Sequence, residues 1–258
     1  MWSSLYVLWK RELLKFVRER SRVIGALVQP LGFWLMLGFG FQGSFQVEGQ
    51  EGMTYLEFLF PGIIALMVLF TAIFSTISVI EERKSGFLQA ALVAPIPRTL
   101  LALGTTLGGT TLAVLQAVLF LLLLPAMGLQ PTLGGLILAI LTCFLLALAF
   151  TAMGVTMAWR METTRGFHAV MNLVLLPLWL LSGAFFPVVG AASGLEWAMR
   201  LNPVTYAVNG LQQALYLPFD APDPVAPMAV CVGISAVFAL AMVGLTVQTL
   251  RRPLFETA

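Results

Sequence analysis

Side chains able to break bonds are scarce in this 258-residue chain, and their spacing assembles almost nothing. There is one histidine, His168, and both cysteines, Cys143 and Cys231, sit inside apolar runs. A structural zinc site needs four Cys or His ligands and a thiolate nucleophile needs an imidazole beside it, so neither is expected. The thiols read as reduced packing residues. Ser182-Gly183 and Ser193-Gly194 offer the Ser-Gly half of an intramembrane hydrolase motif, but Leu180 and Ala191 stand where its first glycine belongs. His168 lies across an apolar run from both. Asp220 and Asp223, the only aspartates, are too few for a metal-dependent transferase. A phosphate-cradling loop needs G-x-x-x-x-G-K-[ST]; of three lysines only Lys84 precedes a serine, and Arg83 stands before it. No catalytic residue, metal or cofactor is assigned to the chain, and any nucleotide must be bound elsewhere.

The elements that carry these residues follow from composition. Hydrophobic residues make up 59% of the chain and charged ones 10%, with a mean hydropathy of +0.94; a typical globular domain has roughly 25% charged residues. A formal charge of +2 supplies no field for nucleic acid. Residues 99–159 form a stretch of 61 without one charge. The reading is an all-α integral membrane protein. At about 20 apolar residues per crossing, six transmembrane helices are expected, at about 23–41, 58–80, 100–124, 133–159, 169–186 and 225–250. The uncharged stretch would measure about 90 Å as a single helix, far more than the membrane is thick, so it folds back at Pro125, Gly128, Gln130 and Pro131. Pro177 is expected to kink the fifth span.

Lys and Arg orient the set. Thirteen of 14 fall on one side, leaving only Arg200 on the other, so both termini are expected in the cytoplasm with 251–258 as a tail. Residues 1–22 read as an amphipathic interface helix. Leu5, Trp9, Leu13 and Phe16 share one side, while Arg11, Lys15, Arg18 and Arg22 turn toward anionic headgroups of membrane lipids. A plain positive anchor for the first span is the simpler alternative. No A-x-A site follows that span, so no processing is expected.

Residues 187–224 are too apolar for a free external loop. Two short helices are expected, about 193–201 and 203–217, with Asn202 as cap and Pro203 at the first helical position. They either re-enter the outer leaflet or lie on it as a folded cap. No Asp, Glu, Lys or Arg lies within the six spans, and Glu57 and His168 stand at their edges, so a proton or voltage relay lacks its parts.

The cytoplasmic segment 81–98, EERKSGFLQAALVAPIPR, starts charged, breaks at Gly86 and sets Leu88, Ala91 and Leu92 at helical spacing before Pro95 and Pro97 end the helix. A short amphipathic helix below the membrane suits a partner's groove; resting on the bilayer is the other reading. The segment resembles the coupling-helix region of permease subunits of ATP-binding-cassette type-2 exporters, with Glu82, Gly86, Leu88, Leu92, Val93 and Pro95 matching. FLFPGIIAL at 58–66 is similar to that family's Pro-Gly start of the second span, and LNPVTYAV at 201–208 to its Asn-Pro-x-Thr-Tyr signature. The resemblance covers the whole chain in length and span order. Asn209, Gln212 and Gln213 are neutral where the family often has an acidic and then a basic residue, and Phe87 and Gln89 replace small polar and acidic ones.

The resemblance implies the transmembrane half of an exporter in a bacterial or archaeal inner membrane. A second permease copy, identical or homologous, and two separately encoded ATPase subunits holding ATP and magnesium would complete it. Docking is expected through Glu82, Arg83, Gly86, Phe87, Leu88, Leu92 and Pro95, beside Trp9, Arg11, Lys15 and Arg18 of the interface helix. Asn202, Pro203, Thr205 and Tyr206 mark the external helices. Gly104 and Gly108 could bring two copies together, although such small-residue pairs are common in membrane helices. Phe33, Trp34, Phe70, Phe74, Trp179, Phe185 and Phe186 would suit an amphipathic drug or lipid-linked molecule, with multidrug efflux as the expected role. A polysaccharide exporter and a non-transporting scaffold or channel are the alternatives.

Overall fold

The structure is a computed structural model and describes residues 2–18, 20–41, 54–86, 97–127, 129–216 and 224–251. Every regular element among them is helical. Helix α1 (Trp2–Arg18) is followed by α2 (Arg20–Gly40), α3 (Tyr55–Ser75) and α4 (Ile77–Lys84), the last continuing α3 past a break at Thr76. Next come α5 (Arg98–Leu121), a 3-10 turn (Leu124–Met127), α6 (Leu133–Arg160) and α7 (Thr164–Leu180). A short pair, α8 (Ser193–Leu201) and α9 (Pro203–Tyr216), precedes α10 (Met228–Arg251). Among the described residues, four stretches are long and apolar enough to cross a membrane: Tyr55–Lys84, Thr99–Leu121, Leu133–Arg160 and Met228–Arg251. Helix α2 contributes a shorter apolar run, Leu27–Gly40, and α7 has 17 residues.

Side-chain caps set several of these starts. Thr54 and Glu57 form a capping box at α3: the Glu57 amide donates to Thr54 Oγ1 at 3.3 Å and the Thr54 amide to Glu57 Oε2 at 2.8 Å. Thr132 and Thr163 accept from the amides of Gly135 and Gly166 at 3.1 and 3.2 Å, opening α6 and α7. Helix α7 therefore begins before the apolar run at 169–186 and stops at Leu180, short of its end. Hydropathy senses burial, whereas the helix is ended by the turn at Ser182-Gly183, where Gly183 adopts φ 79°.

Helix α6 is the axis of the bundle, packed by α3, α5, α9 and α10. Its buried face is rich in small residues, Ala139, Ala147, Ala149, Ala152 and Ala158, which let neighbouring backbones approach where lipid offers no hydrophobic drive. Gly210 of α9 stands beside Thr142 and Gly135 of α6 beside Ala214, so the two helices run antiparallel. Helix α1 lies along α5 in the same sense. A Cβ on Gly104 would meet Leu8 Cβ at 2.7 Å and one on Gly108 would meet Glu12 Cβ at 2.6 Å, while Trp9 Nε1 donates to Thr111 Oγ1 at 3.0 Å. The glycine pair that could join two copies is thus filled by this chain's own interface helix; the spacing announces a close approach and is silent about whose helix approaches.

Candidate functional site

Between α2, α3, α5 and α7 opens a cleft of ≈ 920 Å³, within the range of small-molecule sites. One end is aromatic and apolar, with Phe33, Met36, Leu66 and Trp179. Phe33 and Trp179 approach with ring centroids 5.9 Å apart, and Trp179 in turn meets Phe185 at 6.3 Å. The middle mixes Phe70 and Phe74, edge to face at 5.5 Å, with Gln29, Thr71 and Asn172. His168, exposed on the second turn of α7, tilts against Phe74 at 4.7 Å. The other end carries Glu12, Lys15, Ser78 and Glu81. Trp34 is buried instead, donating Nε1 to the Leu56 carbonyl at 2.9 Å and packing on Phe60. Phe185 packs against Tyr55 and Phe41, and Phe186 is half-buried.

The charged end of the cleft is also a clamp between α1 and α4. Glu82 accepts from Arg11 at 2.7 Å and from Lys15, and Arg11 also reaches Glu12 at 2.7 Å. Among the described residues, two cations face two carboxylates, a balance of charge that permits Glu12 and Glu82 to be buried. Arg83, the next residue, points elsewhere. Its guanidinium donates to the carbonyls of Ala158, Trp159 and Met161 and lies 5.7 Å from the Trp159 ring centroid. A cation on the last carbonyls of α6 meets the negative end of that helix. Consecutive residues of α4 therefore hold α1 and α6.

Residues 3–216 of the chain match the family described as ABC-2 type transporter. The chain belongs to this family. It is 29% identical over 213 residues to the putative transport permease ycf38 of Cyanophora paradoxa, covering 81% of this chain and 73% of that one. Similarity to the inner membrane transport permease YadH of Escherichia coli (strain K12) is 23% over 216 residues, 82% of each chain. Nodulation protein J of Rhizobium leguminosarum bv. trifolii shares 26% over 258 residues, 99% of this chain and 93% of that protein. The family is one of transport permeases rather than enzymes, and the apolar helices suit a membrane protein of that kind.

Within the permease, the residues expected to dock an ATPase divide. Glu82 and Arg83 are engaged with α1 and α6, and Gly86, at φ 77°, ends α4 in the left-handed conformation that glycine adopts without strain. Phe87, Leu88, Leu92 and Pro95 lie outside the described residues. On α1, Trp9 bonds to Thr111 of α5, Arg11 and Lys15 turn toward the bundle rather than toward headgroups, and Arg18 is exposed.

The Asn-Pro-x-Thr-Tyr stretch is a corner latch. Asn202 Oδ1 accepts from the Val204 amide at 3.0 Å, capping α9 in front of Pro203, while its Nδ2 donates to the Leu178 and Leu181 carbonyls at 2.6 and 3.2 Å. Thr205 donates to the carbonyls of Met199 and Leu181, and Tyr206 to that of Arg200. These side chains satisfy carbonyls where α7 and α8 end. Asn209 and Gln213, in the neutral positions, bond to each other at 2.9 Å beside Cys231. Sequence reasoning passed over Glu12, whose place in the cleft depends on Gly108, and the capping box at Thr54, which was readable as Thr-x-x-Glu before an apolar run.

Proposed function

We propose that the permease is the membrane half of an exporter, crossing the membrane six times with both termini in the cytoplasm, and that a second permease copy and two separate ATPase subunits complete it. Six crossings are supported by which ends meet. Helix α1 is bound to the Glu82 end of α3–α4, whereas α3 begins at the opposite end, so the chain between them, α2, passes from one end to the other. Helix α7 starts next to the α6 terminus held by Arg83, and its Trp179 donates to the Gly62 carbonyl near the start of α3 at 2.7 Å. Adding α2 and α7 to the four long stretches makes six. Helices α8 and α9, with most of α9 buried against α6 and α10, then re-enter from the outer side.

One observation carries the transport reading: Glu12 and Lys15 belong both to the clamp on Glu82 and to the mouth of the cleft. A push on the segment after α4, delivered when partner ATPases close on ATP and magnesium, moves Glu82 and with it the residues that shape that mouth. An amphipathic molecule taken up there leaves outward when the helices rock. The role of the segment is tested at Leu88. In a partner's groove, Leu88→Glu buries an unpaired carboxylate at a cost of several kcal/mol, and about 2.8 kcal/mol is already a hundredfold in affinity. Co-purification of the ATPase with the wild type and its loss with Leu88→Glu, at matched membrane expression, is the expected result. Undiminished recovery removes the segment from the docking surface.

A further inference from the structure

We infer that the cleft selects lipophilic organic cations over anions of the same shape. This rests on the transport reading above and narrows it to a substrate class. Among the described residues, the cation lining the cleft is Lys15, and its ammonium is already shared between Glu82 and Glu12. Glu81 lines the same end and forms no ion pair with the described residues. Among the described lining residues, with the clamp neutral, the Glu81 carboxylate is the charge the cleft has left to offer. The walls beyond it are aromatic, with Phe70, Phe74, Phe33 and Trp179. An aromatic face is the negative part of the ring quadrupole and attracts a cation within about 6 Å of its centroid. Away from water, attraction by the rings is less screened, and Glu81, at the exposed end, attracts a cation and repels an anion. The uncharged polar groups between them, Gln29 and Asn172, carry both donors and acceptors and do not favour either sign. A bulky apolar body with delocalised or shielded positive charge satisfies both ends of the cleft.

Tetraphenylphosphonium and tetraphenylborate have nearly one shape and opposite charge, and equilibrium dialysis of each against the full-length permease in a non-ionic detergent reads the sign directly. The phosphonium is expected to bind saturably and at least about tenfold more tightly than the borate, the equivalent of about 1.4 kcal/mol. Glu81→Gln, at an exposed position where folding is not at stake, should close most of that gap by weakening the phosphonium alone. Phe74→Ala should weaken both ions. Equal or tighter binding of the borate overturns the inference, as does an unchanged ratio in Glu81→Gln or an absence of saturable binding by either ion. None of these outcomes touches ATPase recovery in the Leu88→Glu experiment, and failure of that experiment leaves the dialysis ratio standing.

Discussion

Tyr216, the last residue of α9, donates its hydroxyl to the main-chain oxygen of Glu57 at 2.5 Å. That oxygen is the one Pro61 strands, because a proline four residues on has no N–H to return. A residue 159 positions away thus completes the first turns of α3. Gly62 lets the bulk of the Ser182–Phe185 turn come close: a Cβ there would lie 2.7 Å from Ala184 Cβ. The Pro-Gly step joins α3, α7 and α9 at one point.

Removing the hydroxyl tests this. Tyr216→Phe leaves a part-buried carbonyl unpaired and should cost about 1–2 kcal/mol. In a Pro61→Ala background the helix regains its own N–H donor, so the same change should cost clearly less. Thermal melting of the solubilised permease supplies the double-mutant cycle; equal costs in both backgrounds would show that the two residues are not linked through that oxygen.

At the latch, chemistry rather than volume should decide. Asn202→Ala loses the cap and two carbonyl bonds, about 1–3 kcal/mol in all. Asn202→Asp retains the capping acceptor but sets a carboxylate oxygen against the Leu178 and Leu181 carbonyls. It should melt no higher than the alanine variant, despite being nearly the same size as asparagine. A melting point close to wild type for Asn202→Asp would mean that Nδ2 contributes nothing.

Gly108→Leu should dislodge α1 from α5 without altering the number of permease copies per particle. The expected readings are a lower melting temperature and a shift in the fluorescence of Trp9, with an unchanged mass by light scattering. Dissociation of a dimer with α1 still seated would restore the glycine pair to contact between copies.

Glu82→Gln removes the charge that Arg11 and Lys15 share. Lys15 remains partly in solvent, with 41% side-chain exposure, so the loss should fall between that of a surface pair and that of a buried one, about 1–3 kcal/mol. Trypsin should then cut at Arg11 or Lys15 faster than in the wild type. High salt should speed cleavage of the wild type and barely affect the variant. Identical cleavage of the two proteins would sink the clamp.

Much of the architecture is local information. The boundary between α8 and α9 is written in Asn202-Pro203, where a capping side chain precedes a ring that fits only the first turn, and the expected bounds agree with the helices over the described residues, 217 lying outside them. The fold-back between α5 and α6 is likewise carried by its own prolines. What escaped depends on partners far along the chain. Glu82 and Arg83 look like an exposed charged run, and only the approach of Arg11, 71 residues earlier, and of the α6 terminus, 75 residues later, turns them inward. The aromatic residues were separable into cleft and core only through α2, which exposes Phe33 to the cleft and hides Trp34 against Phe60 and Phe120. Hydropathy cannot distinguish adjacent rings on one helix.

The break at Thr76 makes a joint of one long helix. Ser75, Thr76 and Ser78 each turn a hydroxyl back to a carbonyl three residues earlier, so groups that a bend would expose already have partners. Below the joint stands an eight-residue rod, about 12 Å long, whose far end swings about 2 Å for a tilt of ten degrees. Glu82 and Arg83 sit at that far end, with their lines of pull in different directions. The arrangement has the form of a bell crank: a small stroke applied below the pivot would be split between two arms, one toward the mouth of the cleft and the other toward the central column, while the start of α3 is pinned by Tyr216.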